Sequence, residues 1–295
     1  MKRWYCLFAC VALSAHAAAH ADIVVRDDTG SVVRLAHPAR RIVSLAPHVT
    51  ETLHAAGAGG WLVGAVEYSD YPDAAKRVPR VGGYSKLDLE AIAALKPDLA
   101  VGWASGNAPA HIAKIRALGI PVYLSQPERI DDVAKSLEHF GELAGTQAVA
   151  REAASAFRGR LHGLRERYGA RPKVRTFYQV WKRPLMTVGG GQVITDVIRL
   201  CGGENVFADL KPLAPKVTVE SVLAADPDAI VASGMGESRP EWLDDWRQWQ
   251  SLAAVRHDNL FFIPPDLIQR HTPRIVEGAE RLCGFLETAR RRRGQ

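Results

Sequence analysis

The chain has 295 residues, 47% hydrophobic and 24% charged, which excludes a disordered or low-complexity protein and is long enough for two domains with cores of ordinary size. Its formal charge of +6 sits at the ends: of 38 Lys and Arg, Lys2 and Arg3 open the chain and Arg290 to Arg293 close it, leaving 32 against 32 Asp and Glu. A near-neutral body excludes the basic face that a nucleic-acid binder needs, and the terminal Arg run reads as a solvated tail.

Residues 1–21 read as a cleaved export signal. Lys2 and Arg3 supply its positive start, Trp4 to Ala15 its apolar stretch, and Ala19-His20-Ala21 a small-x-small cleavage site before Asp22. The apolar run is too short to cross a bilayer, and no run of 18 apolar residues follows it. Leu7-Phe8-Ala9-Cys10 approximates a lipidation signal, but the short run before it and the bulk of Phe8 argue against lipidation. Cys6 and Cys10 leave with the leader, so the mature chain keeps Cys201 and Cys283. An even pair in an oxidising compartment is expected to form one disulfide.

Runs of strand type at Ile42 to Leu45, Leu99 to Trp103, Val122 to Ser125, Val174 to Val180, Ile230 to Ala232 and Leu260 to Ile263 alternate with helical stretches. That alternation predicts α/β lobes with mostly parallel sheets flanked by helices. An internal echo supports two similar halves. Leu89 to Val101 is answered by Val219 to Val231, with Glu90, Pro97 and Asp98 matched by Glu220, Pro227 and Asp228. Each copy predicts a short helix stopped at the proline, then a strand. Thr50-Glu51 before Gly57 is echoed by Thr195-Asp196 before Gly202, which predicts a helix starting after a polar cap and ending at glycine. Between the halves, Val149, Ala153, Ala156, Phe157, Leu161 and Leu164 recur at helical spacing. A proline-free helix there, roughly 35 Å long, predicts a stiff joint that permits only a small rocking motion. The expected organisation is a leader at 1–21, a first lobe at 22–143, a linking helix at 144–170, a second lobe at 171–289 and a basic tail at 290–295, with the ligand cleft between the lobes.

Arg41 to Pro47, Thr50-Glu51, Tyr68-Ser69-Asp70-Tyr71-Pro72, Leu95-Lys96-Pro97-Asp98, Leu118-Gly119-Ile120, Cys201 to Phe207 and Thr272-Pro273-Arg274-Ile275 occur in that order along the chain. Together they resemble the periplasmic cobalamin-binding proteins of ABC importers, members of the helical-backbone class of metal-chelate receptors. The opening and Lys-Pro-Asp elements are shared with haem and siderophore receptors of the same fold. Tyr-Ser-Asp-Tyr-Pro and Cys-Gly-Gly-Glu-Asn are more specific to the cobalamin branch. The resemblance implies two α/β lobes on one backbone helix, a bound corrinoid such as cobalamin, and an ABC transporter permease as the membrane partner of a monomer. It implies pocket roles for Tyr68, Tyr84 and Trp103 on the first lobe. On the second lobe it implies a lining loop at Asp266, Leu267, Ile268, Gln269 and Arg270. It also implies transporter docking by Glu90 and Glu220. The pocket is rebuilt relative to the family. Tyr84 and Leu267 stand where tryptophans are expected, Met186 replaces another aromatic, Ala214 replaces a tryptophan, and Trp181 replaces a small residue.

Other features have plainer readings. His48, His54, His111, His139, His162, His257 and His271 lack zinc-ligand spacing, so no metal site is expected. His48 and His271 are placed on loops facing the cleft, as polar contacts or as ligands to a haem iron or cobalt. Gly189-Gly190-Gly191 lacks a phosphate-loop ending and reads as a turn. Trp242, Trp246 and Trp249 share one helical face and read as core. No nucleophile elbow or activated cysteine occurs, so neither catalysis nor a catalytic cofactor is expected. Haem or a ferric siderophore is the alternative cargo, and an enzyme acting in the cleft is the alternative class.

Overall fold

The computed structural model describes residues 22–234, 236 and 238–294; the expected export signal, with Cys6 and Cys10, lies outside the described residues. A hairpin of β1 (Ile23–Arg26) and β2 (Val32–Leu35) opens the chain, its turn held by Asp27, whose Oδ1 accepts from Thr29 N and Ser31 N, both at 2.9 Å. There follow β3 (Ile42–Ser44), α1 (Pro47–Ala55), β4 (Leu62–Ala65), a two-residue hairpin of β5 (Gly82–Gly83) and β6 (Lys86–Leu87), α2 (Leu89–Ala94), β7 (Leu99–Trp103), α3 (Pro109–Ala117), β8 (Val122–Ser125) and α4 (Asp132–Ala144). The sheet runs β4-β3-β7-β8, all parallel. After α5 (Gln147–Tyr168) come β9 (Val174–Gln179), α6 (Val193–Leu200), β10 (Gly203–Asn205), α7 (Val219–Ala225), β11 (Ala229–Ala232), α8 (Ala253–Arg256), β12 (Leu260–Phe262) and α9 (Ile275–Arg293). Their sheet runs β10-β9-β11-β12, again all parallel. Taken in chain order, both sheets have the strand sequence second-first-third-fourth, so the two lobes share one topology.

The echoed segments do the same work in each lobe. α2 and α7 both run out into a Pro-Asp exit, and the residue before each proline, Lys96 or Asp226, adopts left-handed backbone, φ 46° and 37°. The aspartate after each proline then ties two strands together. Asp98 accepts from Arg40 N at 2.8 Å and Arg41 N at 3.0 Å, and Asp228 accepts from Arg175 N at 2.8 Å. The second echo differs from expectation at its start. Thr50 and Thr195 lie inside α1 and α6, which are led by Pro47 and capped by Gln192 respectively. Proline presets the first helical φ, so no side-chain cap is needed at α1, and the threonines bond inward instead. Thr50 Oγ1 bonds Ser44 Oγ at 2.8 Å, and Thr195 Oγ1 donates to Gly189 O at 2.8 Å. Both helices do stop at glycine, Gly57 with φ 81° and Gly202 with φ 69°.

α5 is unbroken over 22 residues, about 33 Å at 1.5 Å per residue. It buries Ala150, Ala154, Phe157 and Leu161 in one apolar cluster that runs from Val25 and Phe140 in the first lobe to Val197 and Leu286 in the second. The core is therefore continuous through the joint, with a further cluster on the outer face of each lobe. Cys201 and Cys283 are disulfide-bonded, joining the end of α6 to α9. The terminal Arg run is not a solvated tail. Arg290 to Arg293 form the last turn of α9, where cations suit the helix dipole. Arg290 donates to Pro172 O and Cys201 O at 2.8 and 2.7 Å, Arg292 to Asp258 O at 2.6 Å, and Arg293 pairs with Asp228 at 3.2 Å.

Gly189 and Gly190 are a close backbone approach. A Cβ on either would lie 2.2 Å from Pro212 O or 2.1 Å from Ala208 O. Trp246 is buried and donates to Gln179 Oε1 at 2.7 Å, as core packing requires. Its segment Glu241–Gln248 is 3₁₀ rather than α-helical, and Trp249 stays partly exposed.

Candidate ligand cleft

In open parallel sheets, ligands bind beyond the carboxyl ends of the strands where the strand order reverses. That point lies between β3 and β7 in the first lobe and between β9 and β11 in the second. The two crevices meet in a cavity of about 330 Å³ between the lobes. Trp103, Ser105, Gln126, Pro127 and Glu128 line it from the ends of β7 and β8. Val180, Val188, Gly191 to Ile194, Leu213, Ala214, Gln269 and His271 line it from the second lobe.

Trp103 is the last residue of β7, fixed by its backbone. Its N donates to Asn107 Oδ1 at 2.7 Å, while Asn107 Nδ2 donates to Leu45 O and Tyr84 O at 2.9 and 2.8 Å. One buried asparagine thus sets Trp103 and Tyr84 side by side, with ring centroids 5.8 Å apart. His48 packs edge-on to Trp103 at 5.4 Å and to His271 at 5.9 Å, so a row of four rings crosses the floor from one lobe to the other. His48 is not on a loop: it lies in the first turn of α1 and is buried. Burial, with His271 and Arg270 nearby, pushes its pKa down to about 3, and burial brings His271 to about 4. Both are neutral near pH 7. Trp103 Nε1 and His48 Nε2 are buried without a hydrogen-bond partner among the described residues.

Tyr68 is 72% exposed with φ 62°, a backbone conformation that is costly for a residue with a bulky side chain and is often kept at functional positions. Trp181 and Met186 pair across a turn that follows Val180; Trp181 is 37% exposed. The loop at 266–270 divides by face. Leu267 and Ile268 are buried in the core, so here they offer the cleft no surface, whereas Gln269 lines the cavity. Arg270 crosses to the other lobe, donating to Asp70 Oδ1 at 2.8 Å, and pairs with Asp266 at 3.1 Å. Burial would raise the Asp70 pKa, but the Arg270 hydrogen bond and charge hold it below the usual carboxylate range.

A second cross-lobe link lies behind the floor. Arg274 donates through Nε and Nη2 to the two Glu51 oxygens, each at 2.7 Å, and sits 3.6 Å over the Tyr71 ring. Glu51 is only 2% exposed, so removing Arg274 would leave a buried carboxylate without its partner. These pairs, together with Asn107 and the His48–Trp103 contact, are the cleft features that sequence reasoning missed. Glu51 and Arg274 are 223 residues apart, and no local pattern links them.

Glu90 and Glu220 are each the second residue of α2 and α7, behind caps Asp88 and Thr218. Both are exposed, and neither has an ion-pair partner among the described residues. The first-turn backbone and Thr218 lower the Glu220 pKa, as a helix N-terminus does for an anion.

Residues 42–267 match the periplasmic binding protein family, and the chain belongs to it. It is 38% identical over 264 residues to a vitamin B12-binding protein of Vibrio cholerae serotype O1, covering 89% of this chain and 95% of that one. To its counterpart in Vibrio parahaemolyticus it is 36% identical over 259 residues, covering 87% and 92%. The crystal structure of the periplasmic vitamin B12 binding protein BtuF of Vibrio cholerae superposes with TM-score 0.79, at 38% identity, over 86% of this chain and 98% of that one. A periplasmic heme-binding protein, RhuT from Roseiflexus sp. RS-1, shares the fold with TM-score 0.73 at 23% identity, over 85% and 99%.

Proposed function

We propose that this chain captures cobalamin or a related corrinoid in the inter-lobe cleft and delivers it, as a periplasmic monomer, to the permease of an ABC importer. The observation that carries the reading is the 38% identity to a vitamin B12-binding protein along nearly the whole of both chains. The chemistry of the cleft agrees with it. A corrin is a broad, largely apolar macrocycle with amide arms, and it calls for flat side chains with scattered hydrogen-bonding groups. Trp103, Tyr84, Tyr68 and Trp181 supply the flat faces, with Met186 as an adaptable apolar contact. Asp266, Gln269 and Arg270 supply polar groups, while Leu267 and Ile268 act from behind by holding that loop in place. The cavity is smaller than such a ligand, so the cargo also fills the open mouth where Tyr68 stands. Capture and delivery need no bond to be made or broken within the cargo.

Titration of the purified mature protein with cyanocobalamin, followed by tryptophan fluorescence and calorimetry with haemin alongside, tests this. One-to-one binding of cyanocobalamin is expected, weakened by Trp103→Ala by at least about 1 kcal/mol, as for a central aromatic anchor. Binding of haemin and not of cyanocobalamin would overturn the corrinoid reading and leave the haem receptor in its place.

A further inference from the structure

Capture alone does not call for an unpaired, neutral imidazole at the floor of the cleft. We propose that His271 coordinates the cobalt of the bound corrinoid by displacing an exchangeable axial ligand, with His48 as the positioning residue behind it. This rests on the corrinoid reading above.

His271 lines the cavity beside Gln269 and across from Trp103, and neither of its ring nitrogens has a hydrogen-bond partner among the described residues. Gly191 and Ala214 are small, and leave space in the cavity that it lines. Val180, Val188 and Leu213 make that cavity mainly apolar, and Glu128 is the one carboxylate among its lining residues. At neutral pH the ring is uncharged, since burial brings its pKa to about 4, and its lone pair is free for a metal.

The second observation is His48. Its Nε2 is buried without a partner, and its ring stands 5.9 Å from that of His271 at 84°. A metal-ligating histidine ordinarily donates its other ring N–H to an acceptor that fixes its orientation. In its Nδ1–H tautomer His48 presents Nε2 as such an acceptor, reached by a turn of the His271 ring, and His48 is placed by the first turn of α1. Among the described residues no group of three potential metal ligands occurs, so a free ion finds no ready-made set of ligands among them. Arg270, close enough to depress the His48 pKa, would also repel a bare cation. A corrinoid avoids both obstacles, because the macrocycle brings the equatorial ligands and leaves one axial position for the protein.

The step is a ligand exchange. A neutral imidazole nitrogen donates its lone pair to cobalt(III) as bound water leaves with its own electron pair. The metal keeps its oxidation state and no proton is released. Aquacobalamin permits this exchange, whereas cyanocobalamin, whose cyanide is firmly held, does not.

The test titrates the protein with each corrinoid and records visible absorption, using aquacobalamin with free imidazole as the reference spectrum. Bound aquacobalamin is expected to take the spectrum of the imidazole adduct, while cyanocobalamin binds with its bands unmoved. His271→Ala should abolish the spectral change. His48→Phe should lower the formation constant of the adduct about tenfold, as loss of an outer-shell partner does. Should His271→Ala misfold, His271→Gln replaces it in the same comparison. Aquacobalamin bound with an unchanged spectrum, or a spectral change that survives His271→Ala, overturns the assignment. Binding of neither corrinoid overturns the corrinoid reading and this assignment with it.

Discussion

His48 and His271 face each other across the lobes, and neither has a carboxylate partner among the described residues. Their ordinary pKa of 6.5 falls to about 3 and about 4 in the folded protein. Below pH 6.5 the unfolded chain takes up protons at both rings while the folded one does not, so acid favours unfolding. Stability is therefore highest above pH 6.5, falls as pH drops from there toward 4, and ceases to change from these groups near pH 3. A tenfold difference in proton affinity between the folded and unfolded chain is worth about 1.4 kcal/mol, so together the two rings remove several kcal/mol by pH 4.5. Urea unfolding at pH 7.0 and 4.5 measures this. His48→Gln should lose clearly less stability over that interval than wild type. Equal losses would mean that His48 is protonated in the folded protein and lies closer to water than the structure places it. At this scale the sequence was informative about residue types and silent about partners. The family resemblance pointed to Trp103 and Tyr84, and the two rings do lie side by side, but the single Asn107 that aligns them was not legible, because its three bonds reach Leu45, Tyr84 and Trp103 from separate parts of the chain.

Elements with continuous apolar runs were legible because strands of a covered parallel sheet are buried on both faces. Leu99–Trp103 and Val122–Ser125 have the bounds the sequence suggested, and α5 begins within a few residues of its expected start. The edge strands β4 and β10 were not legible. Leu62-Val63-Gly64-Ala65 and Gly203-Glu204-Asn205 carry weak strand composition and are held by one neighbour each. The disulfide was legible from compartment and count, and its position explains its use. It closes a span of 82 residues and joins α6 to α9 at a point where Arg290 also reaches Cys201 O. Replacing both cysteines by alanine is expected to cost about 3 kcal/mol, mainly by freeing the unfolded chain. For a chain of this size that lowers Tm by about 5 to 10 °C. The bridge lies two turns along α9 from the cleft, so cyanocobalamin affinity should stay within a few-fold. An unchanged Tm would mean that the unfolded chain keeps α6 and α9 together without the bond.

Two copies of one topology, a continuous core through α5 and two cross-lobe ion pairs give a molecule whose halves are braced against each other. The duplication was legible because the Pro-Asp elements perform local work in each lobe; the braces were not, since they depend on how the lobes face each other. A braced receptor presents fixed points to a partner, and Glu90 and Glu220 suit that role. They are equivalent by the repeat, lie at the same position of equivalent helices, and are free of ion pairs among the described residues. Two anions on a fixed spacing can meet two cations on a membrane protein. Such pairs govern orientation and association rate more than the strength of cargo binding. Glu90→Lys with Glu220→Lys should therefore abolish corrinoid uptake by cells carrying the importer, while calorimetry on the purified variant gives the wild-type cyanocobalamin affinity. Either single reversal should reduce uptake less and make it more sensitive to salt, because exposed pairs are screened within about 10 Å at 0.1 M ionic strength. Uptake unchanged in the double variant would rule out these glutamates as the docking points.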